Sequence, residues 1–234
     1  MKAMLFDLDD TLLDYSGEAA RCWSEACVTV AEPAGVDPAA LRAAIREVVA
    51  WFWSDPERHR RERTDMLGAW RKIVEGALDR CGGCRDGLAA RVAADFAARR
   101  RATWSLFPDA VPTLEELRAR GVALGLVTNG DAGMQREKIA GFDLARFFDV
   151  VVIEGEFGCG KPDARVFQHA LGALGVGPRD AWMVGDHLVW DVLGAQQVGV
   201  SAAWLDRPGH GLPSDAPAVP DRILGSLAGL TTLE

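Results

Sequence analysis

Residues 3–11 read AMLFDLDDT, and this stretch decides the fold. It opens as a short apolar run without polar alternation, the pattern of a strand buried on both faces. Acid then arrives abruptly, at Asp7, Asp9 and Asp10. Similar runs recur at 122–127 (VALGLV), 149–153 (DVVVI), 181–184 (AWMV) and 200–204 (VSAAW). Helical patterns lie between them, at 110–120 closed by Gly121, and at 131–141, 163–174 and 188–198. Strand alternating with helix predicts a parallel sheet covered on both sides. The expected core is α/β, a Rossmann-like doubly wound parallel sheet.

Between about residues 14 and 105 this rhythm stops, and no run there reads as a strand. Asp37-Pro38 is a helix start, with Asp as cap and Pro at the first helical position. Leu41, Ile45, Val48, Val49 and Phe52 then share one helical face. Helical patterns also fit 17–31, 64–80 and 86–104. The stretch carries 15 basic and 14 acidic residues, so the rest of the chain holds the acidic excess. The expected organisation is a core of residues 1–13 and 106–234 with an all-helical cap domain inserted at 14–105. The Gly/Pro-rich segment 206–222 reads as a loop returning to a last short strand or helix.

The chain has 234 residues and a formal net charge of −8. That balance excludes bulk binding of a nucleic acid polymer, which needs a net basic surface. A small phosphorylated ligand, held by a few local groups, stays open. The odd count of five cysteines suits a reducing compartment, and no apolar run reaches membrane-spanning length. A cytoplasmic protein without membrane partners is expected.

Four polar groups of residues fall at the ends of the predicted strands. Asp7-Leu8-Asp9-Asp10-Thr11 follows the first, where open α/β sheets bind ligands. Clustered carboxylates repel each other unless a cation or a shared proton intervenes. Thr128-Asn129-Gly130 follows the second and offers a hydroxyl with backbone donors opening a helix, an arrangement suited to an anion. Lys161, in Gly158-Cys159-Gly160-Lys161-Pro162-Asp163, could neutralise charge on a transferring phosphoryl group. Gly185-Asp186 with Asp191 adds oxygen ligands of the kind Mg²⁺ takes alongside substrate phosphate. Each group alone is also an ordinary turn or helix cap. Together they supply the parts phosphoryl transfer needs.

On these motifs the sequence resembles the haloacid dehalogenase-like hydrolase superfamily, from Asp7 to about Leu205. The run TNGDAGMQREKIAGFDLARFFDVVVIEGEFGCGKPD is similar to the branch with house-cleaning nucleotidases and N-acylneuraminate-9-phosphate phosphatase. The resemblance implies a phosphatase that passes through an aspartyl-phosphate. Asp7 is then the nucleophile and Asp9 the general acid and base. Lys161 balances charge beside Asp7, and Thr128 and the Asn129 amide bind phosphoryl oxygens. Mg²⁺ is held by Asp7, by the Asp9 main-chain carbonyl and by Asp186, with Asp191 in support. Thr11 orients the loop and Asp9. The expected substrate is a nucleotide or sugar phosphate. The alternatives are a sugar phosphomutase of the same fold and, disfavoured by Asp9, a 2-haloacid dehalogenase. A halide leaves without a proton, so it needs no second acid.

Other features have blander readings. Cys81-Gly82-Gly83-Cys84 has half the ligands of a structural zinc site and reads as a loop. The basic run Arg58 to Arg63 is expected as a solvated face, with anion gripping as the sharper alternative. Trp51, Phe52 and Trp53 read as packing within the helical insert, and Trp190 as packing beside the acids. Lys72, the single lysine of the insert, reads as solvated, which disfavours Schiff-base chemistry.

Overall fold

The computed structural model describes residues 1–83 and 86–232. The chain divides into two compact units, Met1–Asp14 with Ser105–Glu234 and Tyr15–Trp104. In the first unit, β1 (Ala3–Phe6) is buried at all four residues, as its unbroken apolar run predicts. A two-residue strand β2 (Leu13–Asp14) pairs antiparallel with β3 (Ser105–Leu106). This ribbon was not expected, because two residues carry no periodic signal.

The second unit is built from α1 (Ala19–Ala26), α2 (Pro38–Ser54), α3 (Pro56–Glu62), α4 (Met66–Arg80) and α5 (Leu88–Thr103). The Asp37 carboxylate accepts the Ala39 N–H at 2.9 Å and starts α2, whose Leu41, Ile45, Val48 and Phe52 are buried. Trp23 stacks on Phe96 at 3.5 Å, and Trp70 meets Phe96 edge-on at 5.1 Å. Such aromatic contacts add about 0.5–1.5 kcal/mol beyond the area they bury. The basic run lies on α3, a short helix missed because charge hides its period. There Arg58 stacks over the Trp51 ring at 3.9 Å and donates to the Phe52 carbonyl at 2.7 Å. That guanidinium closes the end of α2, while Arg60 and Arg61 are exposed, as expected of a solvated face. Lys72 is exposed, as expected, and its Nζ also lies 2.5 Å from the buried Glu62 carboxylate. Cys81 is a free thiol, and Cys84 lies outside the described residues.

The first unit resumes with α6 (Ala110–Ala119), β4 (Ala123–Thr128), α7 (Ala132–Gly141), β5 (Val150–Ile153) and the short α8 (Glu154–Phe157). It ends with α9 (Ala164–Leu174), β6 (Ala181–Gly185), α10 (Gly194–Gln197), β7 (Ser201–Leu205) and β8 (Arg222–Leu224). The six long strands form one parallel sheet in the order β5-β4-β1-β6-β7-β8. Helices flank the sheet in a Rossmann-like arrangement. Leu5, Val127, Val166, Phe167, Met183 and Trp204 belong to one buried cluster of this core. Close packing dictates a glycine within β4, since a Cβ on Gly125 would stand 2.7 Å from Leu5 Cδ2. The predicted helix at 188–198 forms as a π-helical turn, Leu188–Leu193, running into α10. No helix among the described residues is long and apolar enough to cross a membrane.

Candidate active site

The sheet order puts β1 between β4 and β6, so the chain crosses to opposite sides of β1. Such a reversal opens a crevice at the carboxyl ends of the strands. Asp7 follows β1 there, its amide donating to the Val184 carbonyl of β6 at 3.0 Å. Thr128 ends β4, Lys161 sits in the loop before α9, and Asp186 follows β6.

Lys161 is the hub of one cluster. Its side chain is 1% exposed, and its Nζ lies 2.6 Å from Asp7 Oδ1 and 2.7 Å from Asp191 Oδ1. Burial disfavours the ammonium, but the two carboxylates outweigh it and raise the Lys161 pKa. Asn129 fixes the lysine by its backbone. Asn129 Oδ1 accepts the Lys161 N–H at 2.7 Å, and Asn129 Nδ2 donates to the Lys161 carbonyl at 2.9 Å. The Asn129 side chain thus serves the lysine, while its amide was the group expected to meet substrate.

Asp7, Asp186 and Asp191 bring one carboxylate oxygen each within 4.8 Å of the others. Crowding has an electrostatic consequence. Burial pushes Asp7 up to about 7 against the pull of Lys161, and the Asp191 and Asp9 charges add to the rise. Asp186 is pushed up to about 9 by burial and by the charges of Asp7, Asp191 and Asp10. A cation is what would relieve this repulsion. The donors are all oxygen, the set a hard divalent ion such as Mg²⁺ prefers, so the residues fit that ion. Asp191 is already engaged, with Oδ2 accepting the His187 N–H at 3.0 Å. The His187 ring in turn caps the following turn through Nδ1 and stacks on Trp190 at 3.7 Å.

The second cluster holds Asp9. Lys138 Nζ donates to both Asp9 oxygens, at 2.7 and 2.8 Å, and Gln135 Nε2 donates to Asp9 Oδ2 at 3.0 Å. Gln135 also reaches Thr128 Oγ1 at 2.6 Å. Sequence reasoning missed both residues, although they sit one turn apart among the buried positions of α7. Thr11 departs from expectation too. Its hydroxyl donates to Asp7 Oδ2 at 3.1 Å and does not orient Asp9 through a hydrogen bond. The cause is the turn itself. Leu12 and Leu13 both donate to the Leu8 carbonyl, which folds residue 11 back over residue 7. Asp10, at φ 58°, takes the left-handed conformation that Asp tolerates better than most residues.

Residues 1–199 match the family model for haloacid dehalogenase-like hydrolases. A phosphoserine phosphatase of Thermus thermophilus is 38% identical, covering 97% of this chain and 96% of that protein. A glyceraldehyde 3-phosphate phosphatase of Methanothermobacter thermautotrophicus is 33% identical over 86% of this chain and 84% of its own length. Among solved structures, a 2-haloacid dehalogenase from Pseudomonas syringae superposes with a TM-score of 0.67 at 29% identity, covering 99% and 96% of the two chains. With a match of that extent, and a site at the sheet's switch point, the chain belongs to the haloacid dehalogenase-like hydrolase family.

Proposed function

We propose that this protein is a phosphatase for a small phosphorylated metabolite, working through an aspartyl-phosphate on Asp7 with Mg²⁺ as its resident ion. The observation that carries the reading is the buried ammonium of Lys161 bridging Asp7 and Asp191, with Asp186 beside them. A nucleophilic carboxylate needs a cationic partner when phosphoryl oxygens approach it, and Lys161 is already in that place.

In this reading residues 14–105 form a helical cap on a core of 1–13 and 106–234. Asp7 attacks phosphorus, and the bond to the leaving oxygen breaks as the Asp7–phosphorus bond forms. Asp9 gives that oxygen a proton. Asp9 then takes a proton from the water that attacks phosphorus, which frees phosphate and restores Asp7. The Thr128 hydroxyl and Asn129 amide hold phosphoryl oxygens, while Lys161 offsets their charge. Thr11 fixes Asp7. Asp7, the Asp9 carbonyl and Asp186 would hold Mg²⁺, with Asp191 behind them, and the ion would supply charge neutralisation at the phosphoryl group. Asp9 also separates this reading from halide displacement, where the leaving group takes no proton.

Two relatives matched over most of their length are named for phosphoserine and glyceraldehyde 3-phosphate, which supports trying small phosphate esters before nucleotides and larger sugar phosphates. Phosphate release from that panel, with and without Mg²⁺, tests the assignment. Metal-dependent turnover of one group supports it and names the substrate class. A requirement for a bisphosphate activator would replace it with the mutase reading.

A further inference from the structure

Two buried polar side chains of α7 have no part in the steps above. Gln135 and Lys138 are each 1% exposed, a costly placement unless their hydrogen bonds are met. They are met by groups that do have parts. Lys138 Nζ donates to Asp9 Oδ1 and Oδ2 and to Gln135 Oε1, the last at 2.8 Å. Because Gln135 Oε1 faces an ammonium, its NH₂ group must face the other way. There Nε2 reaches Asp9 Oδ2, Thr128 Oγ1 and the Asn129 carbonyl, at 3.0, 2.6 and 3.1 Å.

The pair is three residues apart on one helix, so both side chains leave the same face. That helix begins just after Thr128-Asn129-Gly130, and its Asp131 cap accepts the Met134 N–H at 2.8 Å. Local helix geometry therefore fixes where the amide and the ammonium stand. In the loop of Asp9 itself, the Thr11 hydroxyl is bonded to Asp7 and not to Asp9.

We infer that Gln135 and Lys138 are positioning residues, a cradle that sets the Asp9 carboxylate and the Thr128 hydroxyl at a fixed separation. The inference rests on the roles proposed for Asp9 and Thr128. Through it, the group that hands a proton to the leaving oxygen is registered against the group that binds the phosphoryl oxygens. A displacement of even about 1 Å in such a group costs on the order of 100-fold in rate.

Leaving-group dependence separates this role from a structural one. An alkyl phosphate needs its leaving oxygen protonated, and p-nitrophenyl phosphate does not. Lys138→Met is expected to lower kcat on the best alkyl phosphate of the panel by about 10- to 100-fold, with a loss under about threefold on p-nitrophenyl phosphate. In an Asp9→Asn background the same substitution should add almost nothing, since it acts through Asp9. Gln135→Met is the second variant, to be used if Lys138→Met does not fold; because Gln135 also holds Thr128 Oγ1, it should lose rate on both substrates, and more on the alkyl phosphate. Equal losses on both substrates, full multiplicative loss in the double variant, or no loss at all would each overturn the inference. If Asp9→Asn itself shows no leaving-group dependence, the role proposed for Asp9 fails and the cradle falls with it. If Asp9→Asn shows that dependence and neither cradle variant does, the cradle alone is wrong.

Discussion

A Cβ added to Gly185 would stand 2.2 Å from Asp191 Oδ2, so the backbone at the end of β6 and the Asp191 carboxylate are packed in direct contact. Asp191 in turn holds Lys161, and Lys161 holds Asp7. Gly185→Ala must therefore displace Asp191 and loosen the lysine. Overpacking of this kind costs about 1–3 kcal/mol. Turnover should fall by about 10- to 100-fold, given how steeply rate depends on placement. Denaturant unfolding and steady-state kinetics of the one variant check both effects.

Lys161 leads to a sharper stability prediction. Its replacement by Met leaves the Asp7 and Asp191 carboxylates buried without their cation. Breaking a buried pair in this way costs about 3–5 kcal/mol. Adding Asp191→Asn to Lys161→Met should recover part of that loss, because one orphaned charge disappears. Urea unfolding of the single and double variants tests this; equal stability of the two would show that Asp191 and Lys161 are not energetically coupled.

Much of this arrangement was legible in the sequence. Unbroken apolar runs located β1, β4, β5, β6 and β7, because a strand buried on both faces has no polar positions to disguise it. The motif residues Asp7, Lys161, Asp186 and Asp191 could be gathered because all parallel strands present their carboxyl ends to one edge. Gln135 and Lys138 could not be read the same way. A glutamine and a lysine on a helix are ordinarily solvated, and only the sheet order shows that this helix face meets Asp9. Thr11 was assigned to the wrong partner because a turn's hydrogen bonds, not its spacing, decide which side chain folds back. The two-residue strands β2 and β3 carry too little pattern to be seen.

Acid should act through Asp109 as well as through the site. Burial alone would raise its pKa, but the Arg207 fork, at 3.0 and 3.1 Å, and the Leu227 N–H, at 2.8 Å, hold it below the ordinary value. A carboxyl depressed in the folded state stabilises above its unfolded pKa of about 3.9, and that contribution is lost as pH falls through the folded value. Asp109→Asn should thus be less stable than the parent near neutrality and lose less on acidification below about pH 4. Stability measured from pH 2 to 7 in both proteins checks the sign. Parallel curves would mean that Arg207 contributes nothing through charge.

Mg²⁺ should stabilise the fold apart from any turnover. An ion that binds only the native state at 100 times its dissociation constant adds about 2.7 kcal/mol. The melting temperature should rise with Mg²⁺ and return on chelation, and Asp186→Asn should abolish most of the rise. Full retention of the shift in that variant would place the ion elsewhere.

Phosphate release from an alkyl phosphate by the parent and by Asp7→Asn shows whether Asp7 carries the phosphoryl group. The parent should release phosphate only with Mg²⁺ present. The variant should fold normally, bind Mg²⁺ more weakly and turn over at least about 10³-fold more slowly, as expected when a covalent nucleophile is lost. An Asp7→Asn protein that releases phosphate at the parent's rate would exclude Asp7 as the nucleophile.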